Sequence, residues 1–324
     1  VINMFLNLKY LISHDSYSGD LTYLDPLASK DGVSIYENNR YLPIGFAAES
    51  SISEYKGESF IQFDNQNELF RLATGIEEDV LTRVDIKDVG HKGLNVIKSG
   101  YGNYSYQYSA PDDGSEDCYL KFNYTVPDDG PLYVTFDFGE IKNVRIKVGD
   151  SVMRTHSSGK YMDIFAAGDF NAGDVVSFQA DAKDQKNGSG TIYVYQINSD
   201  VFERGYRKLL KGALNVTKYD DTIIKGNIIA EDDCLMYTSI PYDGGWKAYV
   251  DGKQTEVQSI KNAFVCVPMS AGEHTVELRY CPPGFVVGAV ISILSVATLV
   301  LLWIFVPKVK KKRFMSGEGT AENK

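Results

Sequence analysis

Period-two alternation dominates the middle of the chain. Cys118, Leu120, Phe122, Tyr124 and Val126 alternate with Tyr119, Lys121, Asn123 and Thr125, the pattern of a strand with one face buried. Tyr133–Phe136, Val144–Val148, Val175–Ala180 and Thr191–Tyr195 read the same way, separated by turns such as Pro127–Gly130 and the Gly149, Asp150 pair. Short strands at this spacing predict a β-sandwich. Earlier in the chain the pattern is less regular. Leu6–Ile12 and Val33–Tyr36 read as strands, Gln66–Thr74 as a short helix capped by Gly75, and the pieces around Val80 and Asn95 as strand-like. A helix over 199–212 follows the first sandwich. Phe202, Tyr206, Leu209 and Leu210 share a face, Asp200 and Glu203 have capping-box spacing, and Gly212 ends it. We expect it to bracket two β modules, because strands resume after it and continue to Tyr280.

The last pattern has no polar phase. Phe285–Val306 contains no charged residue, and its 22 residues at about 1.5 Å each would reach roughly 33 Å, enough for a bilayer core of about 30 Å. Pro282, Pro283 and Gly284 break the chain before it and Pro307 is expected to close it. The predicted organisation is mainly β: a mixed α/β segment (1–100), a first jelly-roll-like sandwich (101–198), the bracketing helix (199–212), a second sandwich (213–284), a transmembrane helix (285–306) and a basic tail (307–324). Four landmarks recur in order across the two sandwiches, suggesting a degenerate duplication. Cys118 matches Cys234, Pro127–Gly130 matches Pro241–Gly244, Val148–Asp150 matches Val250–Gly252, and Asn171–Asp174 matches Ser270–Glu273.

Charge orients this plan. Lys308, Lys310, Lys311, Lys312 and Arg313 follow the span at once. Basic clusters beside a span stay on the cytoplasmic side, so residues 1–284 are expected outside and Trp303 near the inner interface. The chain carries a formal charge of -10, to which the tail contributes +4, leaving the outside part at -14. That excludes a nucleic-acid partner, which needs a positive surface. The chain begins at Val1 without a signal peptide, which is expected to reflect either spans upstream or a removed signal. Cys118, Cys234, Cys266 and Cys281 form no CxxC pair, and the four histidines are scattered, so no metal site is expected. The cysteines read as buried free thiols rather than a disulfide framework.

Candidate chemistry is sparse. Acidic pairs such as Asp112, Asp113 and Asp128, Asp129 sit beside Pro or Gly in turns, which does not place two carboxylates across a cleft as a glycosidase requires. No nucleophile elbow, phosphate loop or HExxH motif is present. Tyr104, Tyr106 and Tyr108 form an alternating stripe that fits packing against a second sheet or stacking on sugar rings. Tyr242, Asp243 and Trp246 surround a turn, with Trp246 sharing a face with Ala248 and Val250; core packing and a ligand platform both remain open. Asn103, Asn123, Asn187 and Asn215 are glycosylation sequons by pattern alone.

An ordered set of segments resembles the C-terminal part of YfhO-type bacterial membrane proteins. It comprises Leu8–Ser13, Tyr36–Asn38 with Leu42 and Pro43, Gln66–Leu69 with Thr74 and Gly75, Ile240–Trp246 with Val250–Lys253, and Ala271–His274 leading to Tyr280–Phe285. The resemblance implies a large polytopic protein of the plasma membrane, similar to C-superfamily glycosyltransferases. Those enzymes take sugar from a polyprenyl-phosphate donor outside the membrane, and members are implicated in decorating lipoteichoic acid or related polymers of Gram-positive bacteria. Their catalytic carboxylate belongs to an early outside loop, so no catalytic residue carries over to this chain and no cofactor is expected within it. The implied partners are the upstream membrane core of the same protein and a cell-surface glycopolymer acceptor. From the residues themselves, Tyr104 and Tyr106 of the stripe and Tyr242, Asp243 and Trp246 of the turn are the candidates for contacting it. The alternative is a non-enzymatic, membrane-anchored surface protein whose sandwiches bind carbohydrate or protein.

Overall fold

Alternate side chains of the inner strands serve different cores, and this fixes the architecture. The computed structural model describes residues 1–14, 22–99, 105–109, 118–138, 141, 143–157, 163–182 and 187–315. In chain order its elements begin with α1 (Ile2–Phe5), β1 (Tyr10–His14), β2 (Leu24–Lys30), β3 (Val33–Asn38) and β4 (Gly45–Glu49). Then come α2 (Gln62–Thr74), β5 (Leu81–Val84), β6 (Ile86–Lys92), β7 (Asn95–Lys98), β8 (Ser105–Ser109), β9 (Tyr119–Thr125) and β10 (Gly130–Asp137). The first sandwich closes with β11 (Asn143–Val148), β12 (Ser151–Ser157), β13 (Phe165–Phe170), β14 (Val175–Asp181) and β15 (Asn187–Ile197), and α3 (Ser199–Lys211) follows. The second contains β16 (Asn215–Asp220), β17 (Ile223–Ala230), β18 (Cys234–Pro241), β19 (Trp246–Val250), β20 (Lys253–Thr255), β21 (Gln258–Ile260), β22 (Phe264–Met269) and β23 (Gly272–Tyr280), before α4 (Phe285–Met315).

The first sandwich packs the sheet β12-β11-β14-β9-β6 on the sheet β13-β10-β15-β8-β7, with β5 also paired to β15. Leu120, Phe122 and Tyr124 of β9 meet Leu132, Val134 and Phe136 of β10 in its core. The second packs β16-β17-β23-β19-β20 on β21-β22-β18-β4. A helical layer lies between the two sandwiches. Phe63, Leu69 and Phe70 of α2 and Val201, Phe202 and Leu209 of α3 share one core with Tyr195 and Ile197 of β15 and with Leu235 and Tyr237 of β18. On the opposite faces of the same strands, Ile192 and Val194 enter the first sandwich and Met236 the second. Both inner sheets are thus covered on both faces, which is why β18 opens on the unbroken apolar run Cys234–Tyr237 and is buried there without alternation.

The bracketing helix stands where its periodicity puts it, but its cap lies two residues earlier than the expected Asp200. Asn198 accepts a hydrogen bond from the Val201 amide at 3.2 Å, while Asp200 and Glu203 turn to Arg204 and Arg40. Leu210 is exposed, and Gly205 takes the buried place facing Phe70. The strand expected over Leu6–Ile12 holds only from Tyr10, where β1 starts; residues 6–9 form a turn and irregular segment after α1. Asn7 breaks the extended run with a left-handed φ of 57°, a conformation Asn tolerates, and its side chain donates to the Leu42 carbonyl at 2.7 Å. Strands before residue 101 complete both sandwiches, β4 the second and β5, β6 and β7 the first, so the sheets cross the expected boundary at residue 100. Helix α4 continues through Pro307 to Met315 rather than stopping there, since a proline removes one i→i−4 bond and leaves the others available.

The two outer sheets have one strand order. β12, β11, β14, β9 and β6 correspond to β20, β19, β23, β17 and β16. The same hydrogen bond ties one turn to another in each: Ala172 N donates to Asp129 Oδ1 at 2.8 Å, and Ala271 N to Asp233 Oδ1 at 2.9 Å. Two of the four sequence landmarks therefore hold, the Val148–Asp150 turn and the Asn171–Asp174 turn. The other two are shifted by one strand, because β18 occupies the place of β10 and not of β9. Where the first sandwich uses its own β15 beside β10, the second places β4 beside β18.

Candidate functional site

A cleft of about 950 Å³ opens where the helical layer meets the first sandwich and the N-terminal residues. Its aromatic lining comes from Tyr23, Phe60, Phe63, Tyr133, Phe165 and Phe202, and its polar lining includes Asn38, Arg40, Gln62, Gln66, Asp137 and Asp163. The volume lies at the upper end of the range for small-ligand sites, and the mix of apolar rings with a few polar groups is the usual composition of such sites.

Each wall has a local reason for its position. Arg40 follows β3: its Nε donates to Glu203 Oε1 at 2.6 Å, its Nη1 donates to the Asn39 carbonyl at 3.1 Å and to Asn39 Oδ1 at 3.2 Å, and its guanidinium lies 5.8 Å from the Tyr23 ring and 5.5 Å from the Tyr206 ring. The Glu203 carboxylate raises the pKa of this guanidinium above its ordinary value. Tyr23 in turn tilts on Phe202 at 4.9 Å. Phe63, in the first turn of α2, stacks on Tyr195 at 4.2 Å, and the Tyr195 hydroxyl donates to Asp64 Oδ1 at 3.0 Å. Phe60, just before α2, is 72% exposed at the mouth. Rigid rings beside amide and carboxylate groups suit the faces and hydroxyls of a sugar.

The residues singled out from sequence lie elsewhere. Tyr106 and Tyr108, on β8, point into the first sandwich, where Tyr106 tilts on Phe122 at 5.3 Å and burial raises both phenol pKa values. Tyr104 lies outside the described residues. Tyr242, Asp243 and Trp246 come together at the β18–β19 turn. Asp243 Oδ1 accepts from the Gly245 amide at 2.7 Å, Trp246 tilts on Tyr280 at 4.9 Å and packs half-buried on the second core, and Tyr242 is partly exposed. The stripe and the turn therefore belong to different sandwiches. The cleft had no sequence signature, since its lining is gathered from segments spread between Val1 and Phe202.

One constellation imitates a catalytic triad. His274 Nδ1 lies 2.8 Å from Asp251 Oδ2, and its Nε2 lies 3.4 Å from Ser270 Oγ. The same Nε2 is 3.0 Å from the Ser270 carbonyl, which can only accept. With both ring nitrogens donating, no lone pair is left to take a serine proton, and the Asp251 carboxylate raises the His274 pKa in keeping with an imidazolium. The pair clamps two turns together, and Asp251 Oδ1 also accepts from the Thr275 amide at 2.9 Å. All four cysteines are free thiols; Cys118, Cys234 and Cys266 are buried, and Cys281 is exposed.

Phe285–Phe305 of α4 is a 21-residue apolar stretch that contains no buried residue. Residues 1–292 match the family described as "Bacterial membrane protein YfhO". The chain belongs to the YfhO family. Read with that membership, α4 is the candidate transmembrane helix of a bacterial membrane protein. A curated family relative, "Uncharacterized protein YfhO" of Bacillus subtilis strain 168, is 32% identical over 83 residues, which are 26% of this chain and 9% of the relative. The match thus spans a small fraction of that relative's length. Among solved structures, the chain is similar to a protein of unknown function, PA5104, from Pseudomonas aeruginosa PAO1, at 10% identity over 62% of this chain and 93% of the other, with a TM-score of 0.16. It is also similar to a GH2 β-galacturonidase from Eisenbergiella tayi, at 11% identity over 62% of this chain and 38% of the other, with a TM-score of 0.23.

Proposed function

We propose that this YfhO-family chain is the outside C-terminal region and last membrane helix of a polyprenyl-phosphate-sugar-dependent glycosyltransferase that decorates lipoteichoic acid or a related surface polymer. In this reading the region is an accessory to a catalytic membrane core and holds the glycopolymer acceptor in the cleft. The cleft is the observation that carries the reading, because it offers Phe60, Tyr133 and Phe165 as stacking faces beside Arg40, Asp137 and Asp163. The basic run Lys308–Arg313, in the last turns of α4 beyond its apolar stretch, supports a cytoplasmic C-terminal end, with residues 1–284 on the outer face of the plasma membrane.

The test uses the intact family protein in membranes, with purified lipoteichoic acid as the probe. Phe60→Ala with Tyr133→Ala is expected to weaken polymer binding by roughly tenfold or more, since each lost ring face is worth about 0.5–1.5 kcal/mol beyond its area. Sugar transfer to the polymer is expected to fall in parallel. Unchanged binding would remove the cleft from the proposal. Binding without any sugar transfer by the unaltered protein would leave an anchored carbohydrate-binding protein.

A further inference from the structure

The second sandwich has one end that the covalent chain delivers to the membrane. β23 runs toward α4, and only Cys281–Gly284 separates the two. Four residues span at most about 14 Å fully extended. This linker is shorter than that, because the Phe285 amide donates back to the Pro282 carbonyl at 3.1 Å. The headgroup layer is itself about 5–8 Å deep on each side of the hydrocarbon. The end of the sandwich therefore lies within or against that layer.

Two turns share this end. The Cys281 amide donates to the Gly245 carbonyl at 3.0 Å, which fixes the β18–β19 turn beside the linker, and the Tyr280 amide donates to the Thr222 carbonyl at 2.8 Å, which fixes the β16–β17 turn there too. A side chain on Gly245 would run into the Cys281 carbonyl at 2.4 Å, so the fit is close. A tyrosine beside each turn faces outward: Tyr219, next to last in β16, is 68% exposed, and Tyr242, just after β18, is 38% exposed. A phenol has an apolar ring and a polar tip, the combination enriched where lipid meets water. Asp220 and Asp221 flank the first turn and resist deeper insertion, so the rings reach the headgroups while the sandwich stays above them.

We propose that these two turns dock on the headgroup layer of the leaflet from which α4 emerges, with Tyr219 and Tyr242 as interfacial anchors that set the orientation of the sandwich over the bilayer. The partner is a lipid surface, and the docking is independent of any ligand in the cleft.

The full chain with α4 would be placed in phosphatidylcholine vesicles, with Trp246 and Trp303 replaced by Phe and one tryptophan reintroduced at a time. Tyr242→Trp and Tyr219→Trp report the docked end. Ile229→Trp reports an exposed position of β17 that lies about 20 Å along the strand from Ile223. Lipids brominated near the headgroup are expected to reduce emission of the first two variants by roughly twofold while sparing the third. Tyr219→Trp sits at a highly exposed position and keeps the test open if the Tyr242 change disturbs folding. Emission from the Tyr219 and Tyr242 variants that ignores brominated lipid and is quenched by aqueous iodide would overturn the proposal. Equal lipid quenching at all three positions would overturn it as well, because a sandwich lying flat has no anchored end.

Discussion

His274 and Glu277, three residues apart on β23, make opposite demands on pH. The Asp251 carboxylate raises the His274 pKa, with burial opposing it and the Ser270 carbonyl adding to it. The folded form therefore holds its proton more tightly than an unfolded chain, whose histidine titrates near about 6.5. That contribution is complete below the unfolded value and is lost as pH rises through the higher folded one. Glu277 is the reverse case. Hydrogen bonds from Arg279 and Lys225 lower its carboxyl to about 2, so its contribution is present above the ordinary carboxylate range and is lost as pH falls toward about 2. Both sites are near solvent, so salt should weaken both effects. Thermal denaturation of Asp251→Asn is expected to lose the part of the stability profile that declines as pH rises past the unfolded histidine value, together with the acid-limb contribution of Asp251, whose own pKa the His274 hydrogen bond lowers, while keeping the Glu277 contribution. An unchanged profile would show that the clamp contributes nothing. None of this was legible in sequence, because Asp251 lies 23 residues from His274 and meets it only through two turns. The Asp243–Gly245 turn was legible, since its hydrogen bond is local.

Helices α2 and α3 cross at a single glycine. A methyl on Gly205 would come within 2.1 Å of the Phe70 ring, so Gly205→Ala is expected to destabilise the fold by about 1–3 kcal/mol through overpacking, despite the better helix propensity of alanine. Asn198→Ala removes the observed cap of α3 and should cost about 1 kcal/mol, whereas Asp200→Ala should cost less. Chemical denaturation of the three variants checks that order. The misreading of the cap shows what periodicity lacks. It locates an apolar face, but three neighbouring residues, Asn198, Ser199 and Asp200, are all competent caps, and only the backbone bend at Asn198 decides among them. The shifted landmarks of the two sandwiches have the same origin. Pro127–Gly130 and Pro241–Gly244 look alike as turns, yet the strand that follows the first is an inner one and the strand that follows the second is an outer one.

The membrane helix and the strand-rich middle could be read from the chain because their signals are local runs. The pairing of β4 with β18 and of β5 with β15 could not, since each joins strands more than 100 residues apart. These long-range pairings make the helical layer a shared core rather than a linker between independent modules. Tyr195 and Tyr237, from different sandwiches, are both buried against it with Phe70. A cavity at Phe70 should therefore be felt on both sides. Phe70→Ala is expected to cost about 3–5 kcal/mol and to lower amide protection together in β10 and β15 of one sandwich and in β18 and β22 of the other. Hydrogen exchange on the full chain in a membrane mimetic distinguishes this from two separable units, in which only one pair of strands would lose protection. Shared unfolding would also bear on function. A cleft walled by the helical layer and the first sandwich would then keep its shape only while the second sandwich, tethered to the membrane by four residues, stays folded.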